Sequence, residues 1–143
     1  MDQNLLILYL IKNIFLIILK IKKKNIKNFL IDQNFVSGIG NIYASEILFL
    51  CKILPSKGVS LLSLSDCQKI SHFSKVVLRK AIEKGGSSIR DFFNTSGDQG
   101  SFQKNFNVYQ RENKKCLKYN CKGTIHKKFI SNRSSFFCNL CQK

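Results

Sequence analysis

The sequence predicts a mainly α fold that ends in a small β-hairpin, and three observations predict it. Apolar residues recur at helical spacing in two segments, Ile39, Tyr43, Ile47 and Leu50, then Ile70, Phe73, Val77 and Ala81, so each draws a stripe along one helix face. Gly38 and Gly40 punctuate the chain just before the first stripe, where an upstream helix must end and turn. Near the C-terminus four cysteines form two close pairs around residues of alternating polarity, the pattern of a hairpin too small to carry its own core. Together these read as a helix–two-turn–helix unit followed by a small zinc-bound β-hairpin.

The elements follow in order. Residues 5–19 are apolar at 13 of 15 positions, broken by Lys12 and Asn13. That is short of the roughly 20 residues of a spanning helix. The basic cluster of Lys20, Lys22, Lys23, Lys24 and Lys27 follows the apolar run, whereas a secretory signal carries its charge before it. A packed helix, a membrane anchor and a stretch that no longer serves its original role all remain open for 5–19. Ile26, Phe29, Leu30 and Ile31 then predict a short helix ending near Asn34. The helix begun after Gly40 is expected to stop before Pro55, because a residue preceding proline avoids helical backbone. Ser65-Asp66-Cys67-Gln68 reads as a capping box, opening a long helix that Gly85-Gly86 stops. Arg90 to Phe93 make a shorter helix, and residues 94–102 a polar loop with no periodicity. Val108 and Tyr109 begin one alternating strand and residues 129–138 form another.

Composition narrows the partner. The 143 residues are 44% apolar, enough for one modest core and a satellite. The formal charge is +16, from 24 basic against 8 acidic residues, which points to a polyanion, with nucleic acid ahead of an anionic membrane. The abundance of Lys, Asn, Ile and Phe also fits an AT-rich coding bias, which tempers that inference. Val36 to Glu46 carry a sharper signal. The turn leaves the first N–H groups of the following helix unpaired, and Asn41 adds a side-chain amide there, so this end is suited to a phosphate. From the glycines alone, a plain Gly-rich turn between two helices is an equal reading. Lys22 to Lys27 are either a solvated basic face, as charge runs usually are, or phosphate contacts.

Cys116-x4-Cys121 and Cys138-x2-Cys141 would deliver four thiolates from two turns of a hairpin, a closed set suited to one structural Zn2+ and leaving no position for metal catalysis. Four thiolates with one Zn2+ take the formal charge from +16 to +14. Disulfides or free thiols are the alternative reading; a reduced, intracellular site is the better one. Cys51 and Cys67 read as core thiols, and His72 and His126 as surface or packing residues. Arg133 falls at or near the hairpin tip, exposed on a basic element.

Phe29-Leu30-Ile31-Asp32-Gln33, Val36-Ser37-Gly38-Ile39-Gly40-Asn41-Ile42-Tyr43-Ala44-Ser45-Glu46, Gly85-Gly86-Ser87-Ser88-Ile89-Arg90-Asp91-Phe92, Val108-Tyr109-Gln110-Arg111 and the final Cys-x2-Cys-Gln-Lys closely resemble formamidopyrimidine-DNA glycosylase over about residues 20–143. The resemblance implies a helix–two-turn–helix unit and a zinc finger that grip DNA around a flipped, damaged base. It makes Asn41 a phosphate contact, with Gly38 and Gly40 shaping its turn, and Glu46 structural support. It makes at least one of Lys22, Lys23 and Lys24 a phosphate or base contact, and Arg133 the finger arginine that reaches DNA. Residues 94–102 resemble the loop that closes over an oxidised guanine, with Arg90, Ser96, Gly97 and Gly100 as its base-capping residues. The family's chemistry is attack by an N-terminal proline amine assisted by the adjacent glutamate, and here the chain begins Met1-Asp2-Gln3. The family's first cysteine knuckle is x2 where this one is x4.

The expected division is an apolar segment at 1–19, a helix–two-turn–helix domain at 20–95, a connector at 96–112 and a zinc-finger hairpin at 113–143. The expected function is the DNA-gripping, C-terminal half of a bifunctional oxidised-purine glycosylase and abasic-site lyase. Such a half is inactive alone, cytoplasmic, and partnered by damaged duplex DNA, with a separately encoded catalytic half as a further partner. The alternatives are a non-catalytic, zinc-dependent DNA-binding remnant or subunit, and a membrane-anchored protein using residues 5–19.

Overall fold

A computed structural model describes residue 13, residues 23–32, 39–83 and 106–143, with backbone alone at 81–83. The apolar run at 5–19 apart from Asn13, the connector around 84–105 and the candidates Lys22, Gly38, Arg90, Ser96, Gly97 and Gly100 lie outside the described residues.

Helix α1 spans Ile26–Ile31, with the Asn25 side chain accepting from the Asn28 amide as its N-cap. It ends at Ile31 rather than near Asn34, because Asp32 turns to extended backbone. Its start is stitched to the loop after α2, the Ile26 and Lys27 amides donating to the Lys57 and Pro55 carbonyls.

Helix α2 spans Asn41–Cys51 and stops at Lys52, whose left-handed backbone (φ 62°) lets its amide close on Leu48 and Phe49. The sequence reading gives this helix one apolar stripe. Every residue from Tyr43 to Phe49 is buried, because α1, the long third helix and the hairpin pack on different sides of it.

A 3-10 turn at Val59–Leu61 leads into α3, Leu64–Glu83. Its capping box is Ser63 with Asp66, not Ser65 with Gln68. The Ser63 hydroxyl accepts from the Asp66 amide and the Asp66 carboxylate from the Ser63 amide, both at 3.0 Å. The helix therefore starts at Leu64, its cap two residues ahead of the expected one.

Strands β1 (Ile125–Ile130) and β2 (Arg133–Cys138) pair antiparallel, Ile125 opposite Cys138 and Ile130 opposite Arg133. The turn is Ser131-Asn132, both at positive φ, as a two-residue hairpin loop requires. The expected single strand over 129–138 is thus the end of β1, the turn and the whole of β2, and the expected strand at Val108–Tyr109 is a run of bends and turns.

Two cores result. One gathers α1, α2, α3, Ile53, Val59 and Leu62; the other gathers Phe49, Val108, Cys116, Ile125, Phe136 and Cys138. Helix α2 belongs to both, and Phe49 is its buried contribution to the second.

Candidate functional site

The N-terminus of α2 and the tip of the hairpin meet. The Asn41 side-chain amide donates to the Ser134 carbonyl at 3.0 Å, next to Arg133, the first residue of β2 and exposed. The same carbonyl accepts from Lys27 Nζ at 3.0 Å, and Lys27 also donates to the Ser135 hydroxyl. Asn28 adds a third tie to the turn, its amide donating to Ser131 Oγ at 2.7 Å. Residues separated by about a hundred positions in sequence are thereby bolted into one surface that carries Asn41 and Arg133 side by side.

Lys27, grouped by the sequence reading with the basic run as a solvated face or a phosphate contact, is neither: its side chain is wholly buried and held by Ser134 and Ser135. Burial, with the Arg133 guanidinium adding to it, holds its ammonium down at about 8. A signal was present: Ile26, Lys27, Phe29 and Leu30 form the buried face of α1, so Lys27 occupies an apolar position of that short helix. Of the lysines ahead of the turn, Lys23 is exposed and Lys24 pairs with Asp32. Gly40 is the N-cap in ordinary extended backbone (φ −96°), and a Cβ there meets nothing within 4 Å. Its expected role in shaping a tight turn is therefore not conformational. What the missing side chain leaves is open space over the first amides of α2, which have no side-chain cap.

Glu46, expected to be structural support, holds the connector. Its carboxylate accepts from the Asn107, Val108 and Tyr109 amides at 2.6, 2.9 and 3.1 Å, and from the Asn107 side chain at 3.2 Å. Burial pushes its carboxyl upward against the opposing pull of those donors.

At the other end of the hairpin the sulfurs of Cys116, Cys121, Cys138 and Cys141 all lie within 4.8 Å of one another. Cys116 to Cys141 is 3.8 Å and Cys121 to Cys138 is 3.6 Å. A tetrahedron of thiolates at the zinc–sulfur bond length has edges of about 3.8 Å, so the set fits that ion. Amides two residues on, at Lys118, Gly123 and Leu140, point at Cys116, Cys121 and Cys138 at 3.4–3.5 Å, as donors that favour thiolates. Burial raises the Cys138 thiol, but the Cys141 and Leu140 amides outweigh it and bring the group to about 7. The x4 knuckle closes with Asn120 at positive φ. Gly123 is required here: a Cβ would fall 2.5 Å from Cys138 Sγ. Gln142, missed by sequence reasoning, locks the second knuckle to the helical unit. Its oxygen accepts from the Cys138 amide at 2.7 Å and its amide donates to the Ile53 carbonyl at 2.8 Å. Cys51 and Cys67 are core thiols, raised by burial.

Fold and site together define a basic helical protein with a hairpin whose four cysteines could hold a metal ion. A family profile, the formamidopyrimidine-DNA glycosylase H2TH domain, matches residues 11–93. The formamidopyrimidine-DNA glycosylase of Hydrogenovibrio crunogenus is 40% identical over 122 residues, covering 85% of this chain and 43% of that one. That of Neisseria meningitidis is 41% identical over 125 residues, covering 87% and 45%. The Lactococcus lactis enzyme bound non-covalently to DNA containing an AP site superposes with a TM-score of 0.76 at 32% identity, over 93% of this chain and 45% of that one. The Thermus thermophilus protein gives 0.78 at 29%, over 92% and 49%. The chain belongs to the formamidopyrimidine-DNA glycosylase family. It spans less than half the length of these curated relatives. No described helix is long and apolar enough to cross a membrane.

Proposed function

We propose that these residues are the DNA-gripping, C-terminal part of a base-excision-repair enzyme, a bifunctional oxidised-purine glycosylase and abasic-site lyase, acting on damaged duplex DNA in the cytoplasm. The observation that carries this reading is the shared Ser134 carbonyl. It draws the Asn41 amide and the Arg133 tip into one surface, so a phosphate at the open end of α2 and the arginine of the hairpin would act on the same duplex. Relatives crystallised with DNA containing an AP site or FAPY-dG support it. In this reading Lys22 to Lys24 add phosphate contacts, while Arg90, Ser96, Gly97 and Gly100 belong to the loop that caps the extruded base. The division into a helical domain over 20–95, a connector over 96–112 and a finger over 113–143 belongs to the same proposal. One Zn2+, held by Cys116, Cys121, Cys138 and Cys141, would supply folding energy to the finger rather than chemistry.

The test is duplex binding by fluorescence anisotropy, using a strand with an abasic-site analogue. Asn41→Asp and Arg133→Ala should each weaken binding about tenfold or more, each losing a charge-assisted contact, while Gly40→Ala should weaken binding without lowering the melting temperature. Unchanged affinity in both Asn41→Asp and Arg133→Ala overturns the reading.

A second reading is a non-catalytic DNA-binding remnant or subunit. The single proline of the 143 residues is Pro55, buried in the loop after α2, so the family's proline-amine chemistry has no donor within them. The 143-residue chain should give no borohydride-trapped adduct with damaged duplex. Supplying a catalytic half restores the adduct in the first reading and leaves it absent in the second.

A further inference from the structure

Two elements independently set the polarity of the molecule. Helix α2 runs about 16 Å, from Asn41 at the hairpin tip to Cys51. The strands run about 20 Å, from the Ile130–Arg133 pair to the Ile125–Cys138 pair. Both end at the cysteine knuckles, where the Lys143 amide donates to the Lys52 carbonyl at 3.0 Å. The knuckle face is therefore at the opposite end from Asn41 and Arg133.

That face combines apolar exposure with lysines gathered beside the four-cysteine set, which with one Zn2+ would carry a charge of −2. Leu117 is 59% exposed, Tyr119 89% and Leu140 52%. Tyr119 and Leu140 line a 390 Å3 cleft between the knuckles with Lys118 and Lys122. Leu117 and Lys118 line a 260 Å3 cleft against Phe49, Leu50 and Lys52 of the helical unit. The Lys52 and Lys118 side chains share that cleft and oppose each other's charge, with Lys69 adding to the same field. Asp66, which acts on Lys69 of that group, already accepts from the Ser63 amide and faces Lys57 at 3.6 Å.

We propose that the knuckle face is a docking site for an acidic peptide segment of a partner protein, with apolar side chains in the two clefts and carboxylates between Lys52 and Lys118. The charges select the occupant. A second copy of a chain carrying +16 would be repelled. A nucleic-acid backbone would meet the lysines but leave Leu117, Tyr119 and Leu140 without an apolar counterpart. An acidic segment carrying Phe or Leu satisfies both.

The experiment uses the zinc-loaded 143-residue chain and a fluorescein-labelled decapeptide of Asp and Glu containing one Phe and one Leu. Saturable anisotropy is expected, weakened at least tenfold by Lys118→Glu and by Tyr119→Ser, unaffected by Arg133→Ala and not displaced by duplex DNA. Both face positions are on the surface, and melting curves confirm that each variant is folded; Leu140→Ser is a third, independent probe of the face. Absence of saturable binding overturns the proposal, as does insensitivity to these face variants. Displacement by duplex, or equal weakening by Arg133→Ala, assigns the signal to general electrostatics and overturns it too. Duplex affinity is measured separately, so failure here leaves the DNA reading standing, and the reverse.

Discussion

Glu46 and Lys27 are two buried ionisable groups with opposite sign and a common task, since each ties a distant segment to the helical unit. Glu46 accepts four hydrogen bonds from residues 107–109. Glu46→Gln keeps one oxygen but turns an amide donor toward backbone donors. It should destabilise the chain by about 2 kcal/mol, read as a lower urea midpoint. Lys27 has its folded-state ionisation held down at about 8, below the roughly 10.4 of an unfolded lysine. Between those values the unfolded chain binds more protons, so this residue's contribution to stability rises with pH from about 8 to 10. Wild type should therefore gain in melting temperature relative to Lys27→Met over that window, and parallel curves would show that Lys27 carries no such linkage. The identities of both residues are plain in the sequence, but their partners are not. Nothing local to Lys27 points to Ser134, a hundred residues on.

At the scale of elements, helix signals were the most legible. The stripe from Ile70 to Val77 does lie along α3, and α2 does begin at Asn41, straight after Gly40. The errors were in boundaries and strands. Ser63 and Asp66 cap α3 because their side chains reach each other's amides, a choice between two serines two positions apart that spacing does not make. Val108 and Tyr109 alternate like a strand, yet the carboxylate of Glu46 takes the amides that a strand partner would have taken. The hairpin knuckle offers the sharpest test of an element. Gly123→Ala places a methyl group against the Cys138 sulfur and should weaken Zn2+ affinity by about tenfold or more, measured by competition with a chromophoric chelator. Equal affinity would show that the thiolate cluster tolerates movement of its first knuckle.

For the molecule as a whole, α2 is the shared wall of two cores, so loss of metal should be felt beyond the finger. A strong chelator should release the second core, lower the melting temperature of the helical signal and abolish duplex binding together. Retention of full helix stability after chelation would mean that the finger hangs on the helical unit without supporting it. Duplex affinity should fall steeply with salt, since each neutralised phosphate releases counterions.

The sequence by itself determined the helices, the four-cysteine set and the family, because periodicity, cysteine spacing and a motif such as Gly-Ile-Gly-Asn-Ile-Tyr-Ala-Ser-Glu are local properties of a chain. Only the tertiary structure decided which ends meet: that Lys27, Asn28 and Asn41 converge on one hairpin turn, that Glu46 pins the connector, and that Gln142 joins the last knuckle to Ile53. Those ties are set by how the two cores pack around α2, and a buried donor or acceptor takes whichever partner that packing brings within reach.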